Sequence, residues 1–239
     1  MGMPIVIEVC DEDVGETDVE RAFELLHDVD ARFSTYRADS EVSRIRDGEL
    51  SAAQASADVR AVLAECDRLR GATGGWFDAH ASGRLDPSGL VKGWALERAA
   101  GLLEEAGARR YAINGGGDVL VRGAAPQGGR WQVGIQHPLD RDALAAVVAL
   151  EGGAVATSGT YARGDHVLDP FSGRPSRGLL AVTVIGPALA LADVYATVAL
   201  AMGDGARDWC PGVAGYEFLL IGDGGELLTT PGFERYRVT

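Results

Sequence analysis

The chain has 239 residues, of which 46% are hydrophobic and 24% charged, the balance of a soluble globular protein with room for a sizeable core. Its formal charge is −13, from 35 acidic against 22 basic residues, and it has no run of Lys or Arg, which argues against nucleic acid and anionic membranes as partners. The three cysteines lack metal-ligand spacing, so we expect reduced, mostly buried thiols.

The first half of the chain is predicted to begin with a strand and to continue with helices. The segment "IVIEV" alternates as a strand does, and apolar residues at helical spacing predict a helix from Thr17 to Phe33 and another near Ser56 to Thr73. The polar stretch between them predicts turns. A glycine-dense segment precedes a third predicted helix, from Lys92 to Ala106; its glycines indicate either close approach of the backbone to a ligand or ordinary turns.

The second half contains short apolar runs bounded by glycine, which is typical of successive strands. They are "RRYAINGGGDVLVRG", "RWQVGIQHP", "ALAAVVALEGGAVATSG", "LLAVTVIG" and "YEFLLIGDGGELLTT". A helix is predicted to start near Leu189. Because strands and helices follow no regular alternation, we expect an α+β fold.

Two expectations concern location. The apolar stretch from Leu179 to Met202 is interrupted by Gly186, Pro187 and Asp193, so we expect no membrane span. The N-terminal segment shows no basic region, apolar signal stretch or lipid-attachment cysteine, so we expect a cytoplasmic protein.

Asp193 and Thr197 are the strongest chemical signal, because they lie one helical turn apart in an otherwise nearly apolar segment and therefore share one face. A buried ionised carboxylate is costly, so Asp193 is expected to pair with a cation or a metal. Carboxylate and hydroxyl oxygens are hard ligands of the kind that Mg²⁺ takes. The alternative is an Asp193 that caps the first turn of its helix and faces solvent.

His166 and Asp169 lie three residues apart in "HVLDPFSGRP", on a predicted strand and turn. A histidine titrates near neutral pH, so His166 is a candidate general base, and the alternative is a hydrogen-bonding surface or core histidine. For His27, His80 and His137 the second interpretation is preferred.

"NGGGD", from Asn114 to Asp118, has two interpretations. Successive glycine amides can converge on a phosphate, and equally Gly115 to Gly117 can form a tight turn between two strands. The pattern matches neither the dinucleotide-binding fingerprint nor a P-loop.

Lys92 follows the turn "DPSGLV" and is predicted to open a helix, where both its ammonium and the helix dipole would favour phosphate. The alternative is an ordinary surface lysine. Tyr36, Trp76 and Phe77 are candidates to stack on a flat ring system, although aromatic residues beside glycine are commonly core.

In their order along the chain, these motifs closely resemble the ApbE family of FAD:protein FMN transferases. The resemblance covers most of the chain from Met1 to Gly203. The segments that carry it are "MGMPIVIEV", "FSTYRADSEVSRI", "GGWFDA", "LDPSGLVKGWALERAAGLLEEAGARRYAINGGGDV", "ATSGTYARGDHVLDPFSGRP" and "VTVIGPALALADVYATVALAMG".

The resemblance implies one domain over residues 1–239, with largely antiparallel sheets, packed helices and an FAD cleft between two closely joined lobes. It implies that the pyrophosphate of FAD is cleaved, that FMN moves to a Thr or Ser hydroxyl of an acceptor protein, and that AMP is released. Magnesium would bridge the phosphates, held by side chains of Asp193 and Thr197 and by backbone oxygens at Gly89 and Ala196.

The resemblance also implies roles for further residues. His166 would be the catalytic base and Asp193 the essential metal ligand, while Asp169 would orient His166 or contact FAD. The positions implied to bind FAD are Tyr36, Trp76, Phe77, Asp78, Asp86, Lys92, Ser158, Gly159, Val167 and Asp169.

One departure from the family stands out. Asp86 follows Asp78 after only 86 − 78 = 8 positions, whereas many relatives carry a long insertion there. The shorter loop is expected to leave the adenine end of FAD less covered by protein. Two other functions use similar features: hydrolysis of FAD to FMN and AMP by water, and FAD binding without turnover. His166 in its usual motif favours transfer over both.

Overall fold

The computed structural model describes residues 2–160 and 167–238. The α-helices are α1 (Glu16–Phe33), α2 (Glu41–Arg46), α3 (Ala57–Ala72), α4 (Ser88–Glu105), α5 (Leu189–Met202) and α6 (Ala206–Trp209). The strands are β1 (Ile5–Val9), β2 (Tyr111–Gly115), β3 (Asp118–Arg122), β4 (Trp131–His137), β5 (Asp140–Leu150), β6 (Gly152–Gly159), β7 (Leu179–Gly186), β8 (Glu217–Gly222) and β9 (Leu227–Thr229). Short 3₁₀ helices cover Ala52–Gln54, Gly203–Gly205, Cys210–Gly212 and Phe233–Arg235.

The main sheet has seven strands in the order β1-β2-β3-β6-β7-β8-β9, and each neighbouring pair is antiparallel. Strands β4 and β5 form a separate two-stranded sheet. The predicted α+β fold with largely antiparallel sheets is therefore confirmed. Its division into two lobes with an FAD cleft between them stays a prediction.

Side chains of the main sheet alternate between two hydrophobic cores, as the two-residue period of a strand requires. On β3, Leu120 belongs to the core shared with the helices, whereas Val119 and Val121 belong to a smaller core on the opposite face. The β4–β5 hairpin closes the smaller core with Trp131 and Val148. Helices on one face and a hairpin on the other thus leave the sheet buried on both sides.

Two local departures from the sequence prediction have the same cause, a hydrogen bond from a backbone N–H near the helix start to a nearby polar side chain. Helix α4 begins at Ser88, four residues before the predicted start at Lys92, because the Asp86 carboxylate accepts the Ser88 N–H (3.0 Å) at its first turn. The stretch expected to form turns contains α2, because the Ser40 hydroxyl accepts the Ser43 N–H (3.0 Å). Short capped helices carry too little periodicity to be recognised by spacing.

Helix α5 is held against α4 by a close backbone contact and a side-chain cap. A Cβ added at Gly93 would lie 2.5 Å from the Ala190 Cα, so only glycine permits this approach. The Glu97 carboxylate of α4 accepts the Ala190 N–H (3.1 Å) and so serves as the N-terminal cap of α5. These two contacts determine which residues of α4 and α5 face each other.

One helical stretch of the described residues, Leu189–Gly212, is long and apolar enough to cross a membrane by length and composition. However, 67% of its most apolar window is buried inside the protein, and its first part, α5, packs on α4, β6 and β7. A core helix of a globular protein meets the same two criteria, so this stretch does not by itself indicate a membrane span.

The cysteines are free thiols, as expected from the sequence. Cys66 and Cys210 are buried, and burial is the main reason why the pKa of each thiol rises to about 12. Cys10 is half-buried, and burial together with the charge of Glu8 raises its pKa as well. All three thiols therefore remain protonated and unreactive at neutral pH.

Replacement of Gly93 by alanine is expected to lower the free energy of unfolding by about 2 kcal/mol, because the new methyl group forces α4 away from α5. Gly101→Ala is the matched control on the same helix, since an added Cβ there has no neighbour within 4 Å. This control should stabilise the protein by up to about 1 kcal/mol through helix propensity. Urea denaturation of both variants measures the difference, and equal stabilities would contradict the proposed close contact.

Candidate active site

A half-buried lysine lies between two buried carboxylates at the contact of α4, α5 and β3. The Lys92 Nζ lies 2.6 Å from an oxygen of Asp118 and 3.3 Å from an oxygen of Asp193. Only 1% of Asp118 and 3% of Asp193 is exposed to solvent. Burial by itself would lower the pKa of Lys92, but the charges of Asp193 and Asp118 outweigh it and raise the pKa, so the ammonium stays charged.

This position corrects the predicted place of Lys92 in its helix and the alternative of an ordinary surface lysine, while phosphate binding by its ammonium stays a prediction. It is the fifth residue of α4, not its first, so the free amides of the helix start lie a turn away from it. It is not an ordinary surface lysine either, because 24% of its side chain is exposed and its ammonium is committed to two acids. Together with Asp118 and Asp193 it forms what we name the acid–lysine trio, with a formal charge of −1.

Asp193 and Thr197 share one face of α5, as predicted. Asp193 is the fifth residue of the helix and is buried, so the alternative of a solvent-facing cap is wrong. One turn further along, the Thr197 hydroxyl lies 3.2 Å from the Ser158 hydroxyl of β6. The face therefore presents a carboxylate and two hydroxyl groups in a row, next to the Lys92 ammonium.

The oxygen atoms of this face fit a magnesium ion that also binds phosphate. Among residues 2–160 and 167–238, no group of three His, Cys, Asp or Glu side chains is placed to hold a metal alone. Mg²⁺ is commonly held by one or two protein carboxylates while substrate phosphates complete its octahedron, and Asp193 with Thr197 supplies such a set. Gly89, in the first turn of α4, and Ala196, beside Thr197 on α5, remain predicted backbone ligands.

The "NGGGD" segment is the tight turn between β2 and β3. Gly116 and Gly117 have φ angles of +63° and +98°, which suits a two-residue hairpin loop. The Gly116 N–H bonds to the Pro4 carbonyl (3.1 Å) and the Gly117 N–H to the Asn114 side chain (3.0 Å), so these amides are not available to a phosphate. The phosphate-nest interpretation is therefore wrong, and the chemically important residue of the motif is Asp118, which the sequence did not single out.

Trp76 contacts the loop that carries Asp169. The Trp76 and Phe171 rings meet edge to face with centroids 4.9 Å apart, and a Cβ at Gly75 would lie 3.3 Å from the Phe171 ring. Thus the "GGWF" turn and the "DPFSG" loop, 95 residues apart at Trp76 and Phe171 (171 − 76), are in direct contact.

Asp169 organises its own loop. Its carboxylate accepts the Ser172 hydroxyl (2.7 Å) and the Phe171 N–H (2.9 Å), and these bonds lower its pKa below the usual value. Val167 is buried, and its carbonyl accepts the Ser176 N–H (3.0 Å). The Asp169 carboxylate is thus committed to a turn, and a contact with FAD stays a prediction.

The remaining predicted FAD positions are spread over different environments. Phe77 is buried, with its ring 3.3 Å from where a Gly89 Cβ would lie. Asp78 lies 3.2 Å from the Arg70 guanidinium, and Asp86 accepts the Ser88 N–H. The short segment between Asp78 and Asp86 closes on itself through a bond from the Asp86 N–H to the Ala79 carbonyl (2.7 Å).

Three further predicted positions complete the set. Tyr36 is 96% exposed, and no described contact joins its ring to the other candidates. Gly159 is buried at the end of β6, paired with Ala181 of β7. His166 lies outside the described residues, so its role as a base stays a prediction.

A sequence model described as "ApbE family" matches residues 1–83 and 79–218. The chain belongs to the ApbE family. The implied family is thus confirmed over most of the chain, and the acid–lysine trio and the α5 face lie within the matched region.

Named relatives and solved structures agree with this assignment. The chain is 33% identical over 168 residues to the FAD:protein FMN transferase of Salmonella typhimurium, covering 65% of this chain and 48% of that protein. It is 26% identical over 255 residues to that of Vibrio cholerae, covering 82% and 75%. The chain thus spans about half the length of several curated relatives that it matches.

The same architecture is seen in two solved ApbE structures. The ApbE protein of Thermotoga maritima superposes with a TM-score of 0.88 at 21% identity, covering 100% of this chain and 97% of that one. The flavin transferase ApbE of Vibrio cholerae superposes with a TM-score of 0.84 at 23% identity, covering 99% and 96%. These likenesses establish the fold.

Lys92→Met is expected to lower the free energy of unfolding of this ApbE-family chain by about 3 kcal/mol, because it leaves Asp118 and Asp193 buried without their cation. Arg70→Met is the matched control, since it breaks the 3.2 Å pair with Asp78 at a side chain that is 62% exposed. That pair should contribute less than about 1 kcal/mol. Guanidinium denaturation gives both values, and similar losses would contradict the burial of the trio.

Proposed function

We propose that this chain is a magnesium-dependent FAD:protein FMN transferase, which moves FMN from FAD to a Thr or Ser hydroxyl of an acceptor protein and releases AMP. The observation that carries the proposal is the α5 face, where Asp193 lies 3.3 Å from the Lys92 ammonium and Thr197 follows one helical turn later. Membership of the ApbE family and the function for which its relatives are named support it.

Asp193 and Thr197 would hold the divalent cation, with backbone oxygens of Gly89 and Ala196 as further ligands. When bound there, the cation would act as a Lewis acid on the FAD pyrophosphate. The Lys92 ammonium next to Asp193 would bind a phosphate oxygen, and the Ser158 hydroxyl would orient that of Thr197. FAD carries negative charge in its pyrophosphate, so a cation and a lysine are both needed to bind it beside Asp193.

The flavin would lie near Ser158 and Gly159, at the end of β6. Trp76, in contact with Phe171, would supply an apolar wall for the flavin ring. The exposed ring of Tyr36 would stack on the bound flavin. Phe77 supports the first turn of α4 from the core, so we assign it an indirect role behind Gly89.

The transfer step requires one bond to form and one to break. The acceptor hydroxyl oxygen attacks the phosphorus on the FMN side of the pyrophosphate, and the bond from that phosphorus to the bridging oxygen breaks, so AMP leaves with that oxygen. The hydroxyl proton passes to His166, the proposed base. Water in place of the acceptor hydroxyl would give free FMN and AMP.

We also propose that the acceptor lies in the cytoplasm and that neither nucleic acid nor a membrane span takes part. The charge of −13 supports the exclusion of nucleic acid, and the burial of α5 in the core supports the absence of a span. The same charge favours an acceptor whose docking surface is neutral or basic.

Incubation of the purified protein with FAD, Mg²⁺ and a Thr-containing acceptor should give AMP and an acceptor heavier by one FMN, and a chelator should abolish both. Mass spectrometry of the acceptor and chromatography of the nucleotides measure the two products together. AMP and free FMN without labelled acceptor would assign the chain as a hydrolase, and FAD binding without AMP would make it a binding protein.

Asp193→Ala is expected to reduce the rate of transfer about a thousandfold, since loss of a metal ligand removes several kcal/mol of transition-state stabilisation. Asp67→Ala is the control, because it removes a carboxylate from an exposed position of α3. Its rate should equal that of the wild type. An Asp193→Ala variant that is folded and fully active would refute the metal assignment.

His166→Ala is expected to slow transfer about a hundredfold while the Kd for FAD changes little, because a general base acts on the acceptor proton and not on the bound donor. Single-turnover kinetics give the rate, and quenching of flavin fluorescence gives the Kd. If both quantities change equally, His166 binds FAD and another group is the base.

A further inference from the structure

Asp118 is outside the groups that the proposed reaction uses, yet it is almost completely buried, with 1% of its surface exposed. It is the first residue of β3, directly after the Gly116–Gly117 turn. Burying a carboxylate costs free energy unless it has strong partners, so we expect the Asp118 carboxylate to have a specific function.

One oxygen of Asp118 is anchored to the backbone of β6. The ladder between β3 and β6 runs from Val119 paired with Val155 to Arg122 paired with Gly152, and Thr157 lies beyond its end. The Thr157 N–H donates to the Asp118 Oδ1 (3.0 Å). The side chain thus continues the ladder where the backbone of β3 turns away, and this bond fixes the orientation of the carboxylate.

The other oxygen binds Lys92. The distance from Nζ to the Asp118 Oδ2 is 2.6 Å, while the distance to the Asp193 Oδ1 is 3.3 Å. A charge-assisted hydrogen bond is strongest at the shorter of these distances. The ammonium therefore makes its shorter hydrogen bond to Asp118 and a longer one to Asp193, and both carboxylates are within reach of the same flexible side chain.

We propose that Asp118 is a positioning residue, which keeps the Lys92 ammonium at the longer of these two distances from Asp193 so that the Asp193 carboxylate can also bind a divalent cation. This inference rests on the proposed function, because it assigns the cation to Asp193. Without Asp118, the ammonium closes on Asp193 and competes with the cation for the same oxygen atoms. Asp118 thus sets how strongly the α5 face binds metal, without touching the metal.

Asp118→Asn is a sharp test, because the amide keeps the size of the side chain. Its carbonyl oxygen still accepts the Thr157 N–H, while its NH₂ group no longer accepts a bond from the Lys92 ammonium. The anchor is therefore preserved and only the contact with Lys92 is lost.

Binding of Mn²⁺ alone, without FAD, is measured by electron paramagnetic resonance of the free ion. Asp118→Asn should weaken Mn²⁺ binding about tenfold, the size of a coupling between contacting charged groups. Addition of Lys92→Met to Asp118→Asn should restore the affinity to within about threefold of the wild type, because the competing ammonium is gone. A purely structural role of Asp118 predicts no such rescue.

Tyr111→Phe is the matched control for lost stability. The Tyr111 hydroxyl, on β2 next to β3, donates a partly buried hydrogen bond to Glu104 (2.6 Å), and its loss leaves the trio intact. Mn²⁺ affinity of this variant should stay within about twofold of the wild type, even where its unfolding midpoint falls as far as that of Asp118→Asn.

A crystal structure of Asp118→Asn gives a second readout that does not depend on a metal. The distance from the Lys92 Nζ to the Asp193 carboxylate should shorten from 3.3 Å to about 2.8 Å. An unmoved ammonium, or unchanged Mn²⁺ binding in an enzyme whose wild type labels its acceptor, would overturn the inference and leave the proposed function standing. A wild type that neither binds Mn²⁺ nor labels an acceptor would overturn both.

Discussion

The site depends on one buried interaction, the Lys92 ammonium held between the carboxylates of Asp118 and Asp193. Three charges with so little contact with water are stable only when their geometry is fixed. A small increase in the distance between them weakens their attraction, while the cost of removing them from water stays the same. Each member comes from a different element, α4, β3 or α5, so the trio also joins the helical layer to the sheet.

The fold supplies that geometry through backbone contacts that large side chains would prevent. Gly93 lets α4 approach the start of α5, and Glu97 caps the freed amide of Ala190 at the same crossing. Gly115 performs a similar role on the sheet side, where an added Cβ would lie 2.5 Å from a methyl of Leu96. Glycines and alanines in "VKGWALERAA" and "PALALADVYA" are thus required by packing, and the acid–lysine trio is the chemical result.

Structural features set by neighbouring residues were predicted well from the sequence, whereas contacts between distant residues were predicted poorly. The spacing of Asp193 and Thr197 predicted one shared helical face. Alternation located β1, and apolar runs bounded by glycine located β2 to β9, since these patterns extend over only a few residues. Helix α4 starts earlier than predicted because its first turn, from Ser88, precedes the apolar period and is fixed by the bond from the Ser88 N–H to the Asp86 carboxylate.

Asp118 was missed for a different reason. It lies 26 positions after Lys92 and 75 before Asp193 (118 − 92 and 193 − 118), and only the order of strands in the sheet brings the three together. No spacing rule within one sequence encodes such a contact. Its one local signal was an acidic residue at the end of a glycine turn followed by an apolar strand, a place where a charge needs a partner.

The central claim is that the α5 face binds a divalent cation together with the FAD pyrophosphate. Anomalous diffraction from crystals of the wild type grown with FAD and Mn²⁺ tests it most directly. One peak is expected at about 2.1 Å from an oxygen of Asp193 and from the Thr197 hydroxyl, with phosphate oxygens completing the coordination. A peak elsewhere, or FAD bound with its pyrophosphate away from α5, would contradict it.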